Sequence, residues 1–235
     1  MSAYVSEQRG SSRNVFEAPQ AVSAEEFGKE IPEELRVHAR VHAGAAADSG
    51  FLALFVGRLV REKGVRVLLD AWRRAELGEG AVLALAGEGP LRHELAREPD
   101  DVQALGFVPR DHLPALYAAA DVLVLPSIRT ATFLEPWGLV VNEGMHQGTP
   151  VIASDAVGAV HGGLVRDGRN GLVVPQGDAT ALAARLRSLS QNAGLRGALG
   201  KAARQDVAPF TYAAWVAGMR QGLVAAGADV GDQHC

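Results

Sequence analysis

Six short runs of apolar, largely β-branched or leucine-rich residues, each followed by a stretch of helical character, constrain this chain more than any other feature. The runs are FLALFVG (51–57), AVLALAG (81–87), VQALGFV (102–108), DVLVLP (121–126), PVIASD (150–155) and GLVVP (171–175). Runs this continuously apolar belong to strands covered on both faces rather than to strands with one wet side. Between them lie helical patterns at 64–77, 90–98, 111–120, 138–148 and, more briefly, 162–168. Doubly buried strands alternating with helices make a parallel sheet, and right-handed crossovers turn it into a doubly wound, Rossmann-like α/β fold. Its sheet has about six strands, one for each run.

The flanks are plainer. Residues 1–50 show no clear period apart from a helix at PEELRVHAR (32–40), with Pro32 suited to its first turn, and read as linker. Beyond the last run, Asp178 is placed to cap a helix over ATALAARLRSLSQ (179–191), and an apolar-faced segment lies at 210–227.

Composition removes several function classes. With 23 Lys and Arg against 27 Asp and Glu, the net charge of −4 offers no footprint for nucleic acid or an anionic membrane. The one cysteine is Cys235, so a disulfide frame or a cysteine zinc site is ruled out. The opening MSAYVSEQRG is polar and no apolar run is long enough to span a bilayer, so the expectation is a soluble, cytoplasmic protein without a transmembrane segment. No Asp-x-Asp occurs, and the seven histidines, His146 and His161 among them, lack ligand spacing, so no metal is expected.

In a doubly wound sheet, ligands bind outside the carboxyl ends of the strands, near the point where strand order reverses. Strand one leads into Arg58 and Lys63, on one loop beside a helix start. A planar fork, a point charge and helix N–H groups suit a diphosphate, while two solvated surface cations are an equal alternative. Strand two ends in Gly87-Glu88-Gly89-Pro90, which reads first as a tight turn. After strand three the backbone at Val108, between Phe107 and Leu113, offers an edge for a flat base, although core packing is the favoured role for Phe107. The G-x-G-x-x-G of a nicotinamide site is absent after strand one, which argues against a dehydrogenase.

Strand four leads into the most informative stretch. Glu135-Pro136-Trp137-Gly138 precedes an apolar helix that holds Glu143 in its second turn. A carboxylate accepts from two adjacent hydroxyls, which suits Glu143 to a ribose and Glu135 to a sugar. The plainer alternatives are a helix-dipole partner for Glu135 and a solvated helix face for Glu143. A charge within LVVNEGM is poorly placed to be idle. The pair does not suit a retaining glycosidase, because eight helical positions span ~12 Å where about 5–5.5 Å is needed.

These segments resemble a known family. FVGRLVREKG, LALAGEGP, LGFVPRDHLPALYAAADVLVLPS, EPWGLVVNEGMHQGTPVIASD and LVRDGRNGLVVP are similar to the carboxy-terminal domain of retaining glycosyltransferases with the GT-B fold, specifically glycosyltransferase family 4, over roughly residues 51–190. The Glu135-x7-Glu143 element matches the family's signature. The resemblance implies that Arg58, Lys63 and the backbone at Gly138, Leu139 and Val140 meet the diphosphate and sugar of a donor. It further implies that Glu143 holds the ribose, that Val108 presents its backbone to the base, and that Glu135, beside the anomeric carbon, is the catalytic candidate. The implied reaction moves a hexosyl group from a nucleoside diphosphate sugar with retention and without a metal or other cofactor. The implied domains are an interdomain remnant (1–50), a donor-nucleotide-binding domain (51–205) and a crossover helix with tail (206–235). The amino-terminal, acceptor-binding Rossmann-like domain is expected as a missing or separate partner, which leaves the last helix with an exposed apolar surface. The chain departs from the family pattern at Gly144-Met145-His146-Gln147, at VGAVHGGLV around His161, and in a loop lengthened by Arg129–Leu134. A non-catalytic nucleotide-sugar-binding or interaction module is the alternative reading. An epimerase or phosphorylase is a further one, weakened because Lys63 is the only lysine near the cleft.

Overall fold

The structure, a computed structural model, describes residues 16–228; Cys235 and the first part of the expected connecting segment lie outside them. Six parallel strands form one sheet: β1 (Phe51–Val56), β2 (Ala81–Ala86), β3 (Val102–Gly106), β4 (Val122–Leu125), β5 (Val151–Ser154) and β6 (Gly171–Val174). Their order is β3-β2-β1-β4-β5-β6, so the winding reverses between β1 and β4. Each strand falls within its apolar run. The doubly wound α/β sheet expected from those runs is present.

The helices are α1 (Ala24–Phe27), α2 (Glu33–His42), α3 (Val65–Ala75), α4 (Arg92–Leu95), α5 (Leu113–Ala119), α6 (Leu139–His146), α7 (Gly158–His161), α8 (Ala179–Gln191), α9 (Ala193–Val207) and α10 (Tyr212–Ala225). One face of the sheet is covered by α3 and α8, through Leu68, Trp72, Leu182 and Leu186. The other is covered by α5, α6 and α9, through Tyr117, Met145, Ala203 and Val207. Burial of strand side chains such as Leu52, Leu54, Phe55, Leu83 and Leu123 between these layers supplies the main driving force for the fold.

Several boundaries differ from the sequence expectation, each for a local reason. The pattern at 162–168 is not helical: the helical turn is α7, and the chain beyond it forms a loop held by Asn170. The Asn170 Oδ1 accepts from the Arg166 N–H at 2.8 Å, and its Nδ2 donates to the Leu164 carbonyl at 2.8 Å. The pattern at 90–98 shortens to one turn, α4. Pro32 occupies the position before the first helical residue of α2 rather than its first turn. Asp178 caps α8 as expected, accepting from the Ala181 N–H at 2.8 Å. Helix α9 has no expected counterpart; its signal was Asn192, which accepts from the Leu195 N–H at 2.9 Å.

Much of the segment before β1 is packed into the fold. Arg40 of α2 is buried, and its guanidinium donates to the carbonyls of Ala46, Ala119, Ser49 and Gly50 and to Asp121 at 3.0 Å. Asp121 also accepts from the Leu52 N–H at 2.8 Å. This fork therefore ties α2, its adjoining loop and the start of β4 to the amino end of β1. At the other extreme, α10 leaves Tyr212, Trp215, Val216, Met219, Leu223 and Val224 exposed, as expected for the last helix.

Two of these features can be tested directly. Arg40→Ala is expected to cost about 1.5–3 kcal/mol in urea unfolding, because four carbonyls lose a donor while Asp121 keeps the Leu52 N–H and the Arg196 guanidinium at 3.2 Å, whereas Arg36→Ala, removing the exposed Arg36–Glu33 pair, costs under about 1 kcal/mol. The α10 face should drive concentration-dependent self-association, read as rising mass in light scattering; a constant monomer mass at high concentration would contradict it.

Candidate functional site

A cavity of about 530 Å³ opens among the loops that follow the carboxyl ends of β1 and β4, where the strand order reverses. One wall is Val56, Gly57, Arg58 and Lys63, on the loop leaving β1. The opposite wall is Glu135 through Val140, the approach to α6 and its first turn. Ala18 and Gln20, from the chain ahead of α1, complete the lining.

Two glycines let these walls approach. Gly64, before α3, has φ 73°, and a Cβ there would lie 1.9 Å from the Pro126 carbonyl oxygen. Gly138, before α6, has φ 90°, and a Cβ would meet a Leu125 methyl at 2.5 Å. Only glycine takes both the left-handed backbone and the close contact at low cost. The backbone of the two loops is joined directly, the Ile128 N–H donating to the Glu62 carbonyl at 2.9 Å. The first turn of α6, where the N–H groups of Leu139 and Val140 have no partner within the helix, lines this space.

The charged groups are unequal. Arg58 is 66% exposed and its guanidinium lies 3.7 Å from Glu62, leaving most of its donors to solvent and cavity. Lys63 is nearly buried; its ammonium is bound by Glu135 Oε2 and lies 5.7 Å from the centre of the Phe133 ring. Glu135, 5% exposed, also accepts at Oε2 from the Ser127 hydroxyl at 3.0 Å. Ser127 is itself held, its carbonyl accepting from the Ser154 hydroxyl. All these bonds fall on Oε2. Among the described residues the one sealed side-chain polar atom without a partner is Nε2 of His146, so Glu135 Oε1 keeps contact with solvent.

Glu143 and Val108 do not line this cavity. Glu143 lies one helical turn below Leu139 and Val140 on the same face of α6, since positions three and four apart share a face. It is buried rather than solvated, and Tyr117 of α5 donates to its Oε2 at 2.6 Å. Burial pushes its carboxyl up, the Tyr117 hydrogen bond and the charge of Arg110 pull it down, and Glu26 adds a smaller upward push. Val108 lines a separate hollow of about 370 Å³, with His38 and His42 of α2 and the Phe107 ring. Phe107 is 76% exposed, so the core role favoured from sequence is incorrect: the chain leaves β3 at Gly106 with φ 69° and turns the ring outward.

Sequence reading missed four parts of the site. Ser127 lies just past a strand end, a signal that could have singled it out. Tyr117 is a hydroxyl inside an apolar helix, which must find a buried partner. Phe133 and the Ala18–Gln20 segment carry no signal, because their place depends on long-range packing. The segment is fixed by Asn142, whose Nδ2 donates to the Gln20 carbonyl at 3.0 Å while its Oδ1 accepts from the Trp137 indole at 2.7 Å. His161 meets the Asp155 carbonyl at 2.7 Å, and burial pushes the buried His146 down. Among the described residues no group of three or more metal-capable side chains is assembled, and no helix is long and apolar enough to cross a membrane.

Comparison with known proteins agrees with this geometry. A family model described as glycosyl transferases group 1 matches residues 42–206. An uncharacterized glycosyltransferase of Methanocaldococcus jannaschii is 31% identical over 188 residues, covering 77% of this chain and 46% of the relative. Among solved structures, the sucrose-phosphate synthase of Thermosynechococcus elongatus superposes with a TM-score of 0.74 at 31% identity, over 96% of this chain and 57% of that one. The Anabaena protein HepE in complex with UDP-glucose superposes with a TM-score of 0.71 at 25% identity, over 88% of this chain and 56% of that one. The chain spans less than half the length of the curated relatives it matches.

The Lys63–Glu135 pair gives a stability test. Lys63→Met should cost about 1.5–3 kcal/mol in chemical unfolding, because it strips a charged partner from the nearly buried Glu135. Adding Glu135→Gln should return most of that loss; strictly additive losses in the double variant would show that the two side chains do not interact.

Proposed function

The chain belongs to the glycosyl transferases group 1 family, and we propose that it is the donor-binding, carboxy-terminal half of a retaining enzyme of glycosyltransferase family 4, whose substrate is a nucleoside diphosphate sugar. The observation that carries this reading is the cavity at the reversal of strand order, where Arg58, Lys63, Glu135 and the amino end of α6 face one space. The length relation to the relatives supports a second Rossmann-like half, in the same polypeptide or a separate one, that brings the acceptor.

In this reading the donor diphosphate lies against the N–H groups of Leu139 and Val140 and takes its counter-charge from Arg58 and Lys63. Lys63 is then shared between phosphate and Glu135, which keeps the carboxylate close to the sugar. Oε1 of Glu135, uncommitted here, accepts from the sugar hydroxyls beside the anomeric carbon. Glu143 accepts from the ribose, and the backbone at Val108 meets the base once the donor bridges the two hollows. The bond between the anomeric carbon and the phosphate oxygen breaks with its electrons passing to the diphosphate. The acceptor hydroxyl forms the new bond on the same face, and its proton passes to the departing phosphate oxygen. The protein's part is to stabilise the leaving diphosphate and the carbocation-like sugar with fixed charges and dipoles, without a metal ion.

Two charge-assisted contacts of about 1.5–3 kcal/mol each, with a ribose contact and less the cost of association, give an affinity of roughly millimolar to tens of micromolar for a nucleoside diphosphate. Calorimetric titration with UDP, GDP and ADP, each with and without EDTA, checks this. The expected outcome is binding of at least one, unchanged by EDTA and lost in the Arg58→Ala/Lys63→Ala variant. Absence of binding by all three, or an unchanged titration in the variant, rejects the reading.

A further inference from the structure

Glu143 has three rotatable bonds, yet one of its oxygens is committed before any ligand arrives. Tyr117 is fully buried, with its ring 6.4 Å from that of Phe27 at 59°, and its hydroxyl reaches Glu143 Oε2 at 2.6 Å. The backbone of the same residue is pinned from the far end of α6, where Thr149 Oγ1 donates to the Tyr117 carbonyl at 2.7 Å. Gly144, next to Glu143, makes room for Leu123, whose methyl would lie 2.9 Å from a Cβ there, while the Tyr117 ring lies at ordinary contact distance, 3.5 Å at Cδ1. Tyrosine and glutamate are thus fixed on two helices that are themselves locked together.

Glu143 Oε1 accepts no hydrogen bond and is not sealed from solvent. An oxygen with two free lone pairs, held in one orientation, suits two hydroxyls on adjacent carbons. We propose that Tyr117 is the positioning residue that makes Glu143 selective for a ribose over a 2′-deoxyribose, by holding Oε2 so that Oε1 meets the 2′- and 3′-hydroxyls together. This rests on the proposed role of Glu143 as the ribose contact and adds the sugar specificity and the residue that sets it. A ligand lacking the 2′-hydroxyl leaves a nearly buried acceptor short of a partner, which is where discrimination arises.

The groups facing Glu143 are Tyr117 from α5, Arg110 from the turn before α5 and Glu26 from α1. Arg110 is anchored beside it, donating to both oxygens of Glu26 at 2.7 and 3.0 Å with its guanidinium 4.9 Å from the Phe27 ring centre. Burial and the nearby Glu143 push the Tyr117 phenol well above its ordinary value, so it stays a donor throughout the neutral range. Its hydrogen bond favours the charged form of Glu143. Removing it raises the Glu143 carboxyl, so selectivity that needs the carboxylate disappears at a higher pH.

Calorimetry with UDP and 2′-deoxy-UDP on the full chain tests this across pH 5–8. The wild type should bind UDP about ten- to a hundredfold more tightly. In Tyr117→Phe that ratio should collapse to about threefold or less, and what remains should fade at a higher pH than in the wild type. A wild type that binds UDP but shows no ratio, or a Tyr117→Phe chain with the wild-type ratio and pH midpoint, overturns the inference while the nucleotide site stands. A wild type that binds no nucleoside diphosphate overturns the underlying assignment as well. Should Tyr117→Phe not fold, the three tyrosines of the wild type, labelled as fluorotyrosine and assigned through Tyr4→Phe and Tyr212→Phe, give a second readout. The Tyr117 fluorine resonance should move with UDP and markedly less with 2′-deoxy-UDP; equal shifts overturn the proposal.

Discussion

Lys63 and Glu135 come from loops on opposite sides of the reversal between β1 and β4, and their ion pair is the only charged link joining those walls across the cavity among the described residues. Its position explains how so polar a cluster survives next to two apolar layers. A nearly buried carboxylate is tolerable here because one oxygen receives both an ammonium and the Ser127 hydroxyl. The backbone bond between Ile128 and Glu62, and the glycine contact at Gly64, set the spacing at which that pairing is possible. On the proposed function, a diphosphate entering the cavity would meet charges already held in place, so little reorganisation would oppose it.

How far the sequence could be read depends on how local each cause is. The strands were legible because a run such as FLALFVG admits no wet face, and α8 because Asp178 and the apolar spacing after it agree. The cationic loop and Glu135 were legible as strand-end residues once a parallel sheet was inferred. The partnership of Lys63 with Glu135 was not, since it depends on which strands become neighbours. The outward Phe107 ring was missed because an aromatic residue after a strand reads as core until the turn at Gly106 is known. Tyr117 was hidden among the apolar residues of LPALYAA, where its ring packs like any core residue and only its hydroxyl acts differently.

The two glutamates share a design. Each spends Oε2 on a buried hydroxyl, from Ser127 or Tyr117, and keeps Oε1 without a partner. They differ in their counter-charges: Glu135 has an ammonium in contact, whereas Glu143 has a guanidinium that is itself occupied by Glu26. Burial pushes the Glu143 carboxyl up, against the downward pull of the Tyr117 hydrogen bond and the Arg110 charge.

The cavity's third wall is built from chain far from the other two. Residues Glu17 and Ala18 press against Gly218 of α10, where a Cβ would lie 1.9 Å from the Glu17 carbonyl oxygen, and Ala18 and Gln20 face the cavity. This contact joins segments some two hundred residues apart, a long loop closure within the described chain that carries a correspondingly large entropic cost. An occupant that restrains Ala18 and Gln20 would therefore also brace α10, a helix that does not line the cavity.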